Sequence, residues 1–533
     1  MLGAGPENFY RQASQALFHS SSSSSTTESG IKNSQYFPRI FSFSHKDQAN
    51  VEVSGGSLVR SVLNQEFTAL CSNAVVGISR VVCGTQSLRT ARDPTEHRAL
   101  RELVSAPLSA KAVAAAIPKL ESICHYRVEE DILKKMTPSS SSSPQSSNKH
   151  KTQHDDDESS DNIITALDVT QAMALDVVWQ QLLGLDLQSR DDIDQFHDQT
   201  YTWLRGMYSR PGSPELQATL QAREYLVQAM KDKICQLRDA GHSDGSTMGG
   251  LVFARLEDDD TIDSDNGDNY STENSKIDKT TESAAKTTTL TDQQVIENAL
   301  LLMLAGVETT SSNLANAILL MGLHPHVWDR VVKEQQSIVQ KFGRDEGLTK
   351  SILDEQCPCL QAVVQETLRI LPVTLVSRRM TAETMVVVDG NQKYQIPQGW
   401  GVGYNIYLTH QQDPSLDDDT NPMDLRTGFR PERWLDATTR PSRGNDFIPF
   451  GVGPRKCPGG LLAMTEMKIF LAVMARHIEK YELVTDLLAM EEEENQSPPL
   501  PLDAQIAWKK LNSVPIPEDG VQIRISQTTR TTG

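Results

Sequence analysis

The sequence predicts a mainly α-helical domain with small β-sheets. Apolar residues recur at three- and four-residue spacing over several long segments, strand-like alternation is confined to short ones, and a long irregular stretch precedes the last major helix. Irregular chain of that length inside a compact domain is uncommon and usually has a functional reason. With 533 residues the chain can bury a large core. Its hydrophobic fraction of 38% and mean hydropathy of -0.41 are low for one. The polarity is concentrated in Ser-, Thr-, Asp- and Glu-rich tracts at about 19–30, 137–160 and 240–289. Such tracts bury too little apolar surface to order themselves. We read a single domain over 1–525 interrupted by these insertions, with 526–533 as a C-terminal tail.

From 96 to 129 the pattern is helical, with Leu100, Leu103, Val104, Val113, Ile117 and Leu120 near helical spacing and Pro107 and Pro118 expected to break it. Further helices are predicted over 163–185 and over 217–237, the latter rich in Ala, Leu, Gln and Arg. Thr291-Asp292-Gln293-Gln294 reads as a capping box opening a long apolar helix to about Leu320. A helix after Leu353 runs to Ile370 and is stopped by Pro372. Residues 385–388 and 394–396, joined through Asp389-Gly390-Asn391, read as a hairpin. Residues 397–440 read as irregular chain, and 461–477 as the last helix. No internal repeat is visible.

A formal net charge of -19 without a basic face argues against a nucleic-acid partner, because phosphate neutralisation needs clustered Lys and Arg. Seven scattered cysteines, an odd number, do not form a disulfide framework and point to a reducing compartment. The longest apolar run, 299–307, ends at Glu308 and is too short to span a bilayer; the N-terminus has no basic region followed by a hydrophobic one. Cys357-Pro358-Cys359 has no second pair at zinc spacing and reads as the approach to a helix.

The most informative stretch is 447–460. From Phe450 to Gly459 it satisfies F-x-x-G-x-R-x-C-x-G, with Phe450, Gly453, Arg455, Cys457 and Gly459 at the fixed positions. Its glycines permit a tight loop beside a flat cofactor, and Cys457 falls where that loop meets the next helix. A helix N-terminus, Arg455 and Lys456 would all favour a thiolate there. This segment resembles the cysteine signature of the cytochrome P-450 superfamily, and the resemblance extends over about 7–525.

That resemblance implies a cytochrome P-450 fold, with haem b between the long central helix and the cysteine-loop helix and with Cys457 as the metal ligand. Residues 41–43 and 51–53 would be the first strands of its sheet. Arg455 would reach a propionate and Phe450 would shield the sulfur. In Asp93-Pro94-Thr95-Glu96-His97-Arg98-Ala99-Leu100-Arg101, His97 and Arg101 lie four apart on one helix face and would contact a propionate, although many relatives have Trp at the position of His97. Arg379 aligns with a further propionate-binding arginine, with Arg378 as its neighbour. Ala305 and Gly306 would leave space for dioxygen, while Glu308 and Thr309 supply an acid and a hydroxyl for proton delivery. Glu366, Arg369 and Arg433, in Glu366-Thr367-Leu368-Arg369 and Phe429-Arg430-Pro431-Glu432-Arg433-Trp434, would form a buried ion triad that fixes the cysteine loop.

The activity implied is a monooxygenase that hydroxylates a small apolar molecule, with electrons from NADPH through a reductase or ferredoxin and with the protein as a monomer. Residues 206–211, the helix from 217 to 231 and the segment 394–400 are similar to the branch oxidising retinoids and sterols, which points to an isoprenoid: a sterol, retinoid or carotenoid. Two alternatives stay open, a haem-thiolate isomerase or peroxygenase that needs no reductase and a non-catalytic haem-binding sensor. Membrane-bound relatives carry an anchor helix and a Pro-rich hinge that are not seen here. The expectation is a soluble protein or a missing start, the latter with the endoplasmic reticulum membrane or a plastid as its place.

Overall fold

A computed structural model describes residues 39–45, 48–72, 78–136, 163–256, 289–344, 346–372, 379–416, 421–441, 446–484 and 514–528. The tracts at 19–30 and 137–160, most of 240–289, and Arg378 lie outside them.

The N-terminal part supplies strands β1 (Ile40–His45), β2 (Gln48–Val53), β3 (Leu70–Ser72) and β4 (Ile163–Thr165) among helices α1 (Gly56–Leu63), α2 (Ile78–Cys83), α3 (Pro94–Ser105), α4 (Ala110–Val128) and α5 (Ala166–Val177). Helices α6 (Arg190–Arg205), α7 (Pro214–Ala240), α8 (Thr247–Phe253), α9 (Asp292–Leu323), α10 (Pro325–Phe342) and α11 (Pro358–Ile370) form the middle. Strands β5 (Arg379–Thr381), β6 (Met385–Asp389), β7 (Gln392–Ile396) and β8 (Gly401–Tyr404) follow, then α12 (Ile406–Gln411), α13 (Gly460–His477), β9 (Ile478–Leu483) and β10 (Gln522–Thr528). The main sheet has the order β1-β2-β8-β5-β3, with only the β2/β8 pair parallel. A second sheet is β4-β10-β9, and β6 and β7 make the predicted hairpin.

The helix starts follow from local chemistry. Asp93 caps α3 by accepting from the N–H of Thr95 and of Glu96, both at 2.9 Å, and Pro94 opens the helix. Such a cap contributes roughly 1 kcal/mol. Thr291 and Gln294 close the predicted capping box reciprocally at the head of α9. Ser213 and Pro214 start α7, which ends at Gly241 in the left-handed region (φ 74).

Five expectations need correction. Pro118 does not break α4, although a mid-helix proline costs ~3 kcal/mol. Its ring is exposed, so water can reach the carbonyl it leaves unpaired, while Ile117 and Leu120 beside it are fully buried. Residues 163–165 are strand rather than helix, because Ile164 pairs with Ile523 from the far end of the chain, a partner no local pattern reveals. Within 397–440, Gly401-Val402-Gly403-Tyr404 forms β8; its glycines hide the alternation, and α12 follows under an Asn405 cap. The start of the acidic tract, 240–256, contains α8 with Ser246 as its cap, and β10 runs through Thr528 into the predicted tail.

Helix α9 positions the site. Its C-terminal half, from Leu314 to Met321, packs in a core built with α4, α5, α10, α11 and α13. Its N-terminal half, from Val295 to Val307, packs in a second core with α3, α6, α7 and α8. The segment 305–309 lies at the junction of the two. Among the described residues no single helix is long and apolar enough to cross a membrane.

Candidate active site

At that junction the central helix opens. Ala305 and Gly306 are exposed while Met303, Val307 and Thr310 beside them on α9 are buried, and a Cβ built on Gly306 meets nothing within 4 Å. Thr309 donates its hydroxyl to the Ala305 carbonyl at 2.6 Å, which leaves the oxygen lone pairs free to accept. Asn313 Nδ2 in turn donates to the Thr309 carbonyl at 2.8 Å, and Glu308 is half-buried. In the turn before this segment Leu301, Leu302 and Leu304 are partly buried and pack against the second core.

The cysteine loop is folded by its own backbone. Gly451 N–H donates to the Ile448 carbonyl, Lys456 N–H to Gly453, and Cys457 N–H to Phe450, all at 2.9–3.0 Å. Gly451 (φ 71) and Gly453 (φ 75) occupy the left-handed region, which side chains disfavour. A Cβ on Gly451 would also lie 2.7 Å from Tyr404 Oη. Phe450 lies against the first turn of α13, where a Cβ on Gly460 would come 3.0 Å from its ring. Cys457 therefore sits three residues before α13, and its side chain is accessible to solvent. Burial by the surrounding protein nevertheless pushes its thiol up, opposed by the Gly459 N–H, Arg101 and Lys456. Cys457 is thus exposed and yet surrounded by protein, as a residue lining a recess would be. Nothing lies within 4 Å of a Cβ built on Gly459 either.

Arg455 does not serve the sulfur as the sequence suggested. Its Nε donates to Glu66 Oε1 at 2.7 Å, and its Nη atoms reach the Leu88, Arg89 and Ala91 carbonyls. Arg379 donates to the other oxygen of Glu66, so this buried carboxylate joins two of the predicted cofactor arginines. The Arg455 guanidinium also lies over the Phe67 ring (4.9 Å), whose other neighbour is His97 at 5.0 Å. Arg101 Nη1 donates to the Lys456 carbonyl at 2.8 Å. His97 is buried with Nε2 unpartnered, and burial followed by Arg455 and Arg101 lowers it to about 4. The cationic and donor groups of His97, Arg101, Arg379 and Arg455 thus gather near the loop. An unpartnered buried nitrogen beside arginines fits a bound carboxylate, and the bare Gly306 and Gly459 fit a flat ring: the residues suit haem. Glu66 and Phe67 were not legible in the sequence. Their one structural mark, the positive φ of 73 at Phe67, belongs to the backbone.

The ion triad is built around Glu366, which is wholly buried. It accepts from Arg369 Nε and Nη2 and from Arg433 Nε, each at 2.9 Å, and also from Trp434 Nε1 (2.8 Å) and Arg430 N–H (3.0 Å). Burial pushes its carboxyl up, but Arg369 and Arg433 hold it below the usual carboxylate range. Arg369 extends the network to the Pro422 and Gly428 carbonyls, which ties the irregular segment to α11.

His410 links this network to the loop and was also missed. Ile448 N–H donates to its Nε2 at 3.0 Å, so the proton must sit on Nδ1, which donates to the Arg369 carbonyl at 3.0 Å. Burial, with Arg369 adding to it, lowers the ring to about 3. An unfolded histidine titrates near 6.5, so the unfolded chain binds the extra proton between about pH 6.5 and 3 and stability falls as pH falls through that window. At pH 5 the expected loss from this residue is about 2 kcal/mol. Thermal melts of wild type and His410→Gln between pH 7 and 5 check it: the variant should be weaker at neutral pH and lose less on acidification.

Cys357 and Cys359 flank Pro358 at the start of α11. Gln335 Nε2 donates to the Cys357 sulfur, and Glu334 accepts from the Cys359 N–H.

The Cytochrome P450 family model matches residues 16–500. Cytochrome P450 52A3-A of Candida maltosa is 33% identical over 201 residues, 36% of each chain. Taxoid 2-alpha-hydroxylase of Taxus canadensis is 32% identical over 192 residues, again 36% of each. The matches therefore span about a third of the length of these curated relatives. Retinoic acid bound cyanobacterial CYP120A1 has a similar fold, with a TM-score of 0.65 and 21% identity, covering 92% of both chains.

Proposed function

The chain belongs to the cytochrome P450 family, and from that premise we propose that it is a haem b monooxygenase whose iron is held by Cys457. The observation that carries this reading is the accessible Cys457 sulfur at the head of α13, set near the basic cluster of His97, Arg101, Arg379 and Arg455. Haem held there would supply activation of dioxygen, with one oxygen atom inserted into a C–H bond and the other released as water by two electrons from NADPH through a redox partner and two protons.

The residues of the chain prepare that chemistry. Arg101, Arg379 and Arg455 would neutralise the propionates, the uncharged His97 would donate a hydrogen bond to one of them, and Glu66 holds Arg379 and Arg455 in place. Phe450 packs the cysteine loop onto α13. Ala305 and Gly306 keep the helix face bare. Glu308 and Thr309 move protons to the reacting oxygen, with Thr309 anchored on the Ala305 carbonyl so that its oxygen can accept from water. Leu301, Leu302 and Leu304 favour an apolar substrate, which we take to be an isoprenoid. A taxoid hydroxylase among the relatives supports that class. The exposed Lys456 offers a contact for an acidic reductase or ferredoxin.

Thr309→Ala should retain haem and still consume NADPH in the presence of a reductase, while product yield falls by about 100-fold or more and hydrogen peroxide rises in its place. Unchanged coupling would remove the proton-delivery role. Haem-band shifts with retinoids, sterols and carotenoids identify the substrate class. Turnover then separates the alternatives: product that needs NADPH and reductase supports the monooxygenase, product from peroxide alone supports a peroxygenase, and binding without product supports a sensor.

A further inference from the structure

We propose that His125, Glu129 and His477 form a second metal site, outside the haem pocket, that takes a borderline divalent cation of the zinc type. His125 lies near the end of α4, Glu129 one residue beyond that helix, and His477 is the last residue of α13. The one helix that begins beside Cys457 therefore ends at this site, about 27 Å away at 1.5 Å rise per residue.

The three side chains converge: one ligand atom from each lies within 4.8 Å of the others. His125 Nδ1 and His477 Nε2 are 3.1 Å apart, with the rings nearly perpendicular at 83°. Two imidazole nitrogens bound tetrahedrally to zinc at about 2.0–2.1 Å stand about 3.3 Å from each other, so little adjustment separates this pair from a chelating one. Glu129 adds a carboxylate oxygen and the negative charge that a histidine pair lacks. It is exposed and His125 half-exposed, which leaves room for water in a fourth position.

The surroundings match those of metal-bound histidines, whose second nitrogen faces a fixed carboxylate. His125 Nε2 lies 3.9 Å from Glu121 Oε1. Glu121 is itself held by the Leu348 N–H at 2.8 Å and by Arg476 Nη1 at 3.5 Å. That second contact draws the Arg476 guanidinium, adjacent in sequence to His477, toward Glu121. The C-terminus of α13 presents the negative end of its dipole, which favours a cation. Two nitrogens and one oxygen select zinc-like ions over magnesium or calcium, which prefer all-oxygen sets. A cation there would join α4 to α13 and brace the helix that carries the cysteine loop.

The test uses untagged, haem-loaded, full-length protein titrated with ZnCl2 in competition with a zinc-binding dye, alongside thermal melts. We expect one tight equivalent, unaffected by millimolar Mg2+, and a rise in melting temperature. His125→Ala, His477→Ala and Glu129→Gln should each weaken it by about 10-fold or more and abolish the thermal shift, with the haem spectrum unchanged. Should the histidine variants fail to take up haem, Glu129→Gln decides, because an exposed side chain can be changed without harm to the core. Wild-type protein that binds no zinc, or variants that bind it as wild type does, overturn the site and leave a hydrogen-bonded histidine pair.

Discussion

Cys457→Ser is expected to yield a folded protein that has lost the carbon monoxide difference spectrum of a thiolate-ligated haem and all NADPH-dependent turnover. Burial pushes the Cys457 thiol up, and the Gly459 N–H, Arg101 and Lys456 offset only part of that push. Coordination to haem iron would supply the charge that makes the thiolate the favoured form. A serine hydroxyl ionises far less readily, so it offers the metal a weak neutral oxygen in place of a strong anionic donor. The substitution barely changes volume, and Cys457 is exposed rather than packed in the core, so helix content and melting of the haem-free protein should stay within about 0.5 kcal/mol of wild type. Haem content by pyridine haemochrome and the reduced carbon monoxide spectrum are the measurements. An unaltered spectrum in the serine variant would remove the proposed ligand and with it the monooxygenase reading.

What could be read in advance was whatever is encoded locally. The 450–459 loop declares itself because the backbone turn, the helix start and the ligand lie within ten residues, and the glycines needed for positive φ are visible as letters. The capping box at Thr291 was legible for the same reason. Glu66 was not. Its partners Arg379 and Arg455 are more than three hundred residues away, and nothing near it in the chain distinguishes it from a surface acid. His410 was hidden likewise, since its role exists only once α11 and the loop lie on either side of it. Arg455 illustrates the opposite error. Proximity in sequence suggested that it would stabilise the thiolate, yet its guanidinium faces Glu66 and the carbonyls of 88–91. Local patterns identified residue types and helix faces, while the direction of long side chains was set by partners from distant segments.

The ion triad gives the second large effect. In Glu366→Gln the shape is retained, but two buried guanidinium groups, at 1% and 6% side-chain exposure, lose the carboxylate charge they share. Breaking a buried pair on one side costs roughly 3–5 kcal/mol, because the remaining charge stays desolvated. A glutamine amide also supplies just one acceptor oxygen where the carboxylate takes bonds from Arg369, Arg433, Trp434 and the Arg430 N–H on two. Its NH2 group must then face a donor, a further cost of about 1–3 kcal/mol. Against a typical domain stability of about 5–15 kcal/mol, the sum consumes much of the margin. Because Arg369 holds the Pro422 and Gly428 carbonyls and, through its own carbonyl and His410, the Ile448 N–H, the damage should spread to the cysteine loop. We therefore expect Glu366→Gln to accumulate as haem-free or insoluble protein, and any soluble fraction to melt well below wild type. By contrast, Glu308→Gln, at a half-buried position outside this network, should melt near wild type. A Glu366→Gln protein that melts with wild type and carries full haem would show that the two arginines are neutralised by other groups, and that the triad does not hold the loop.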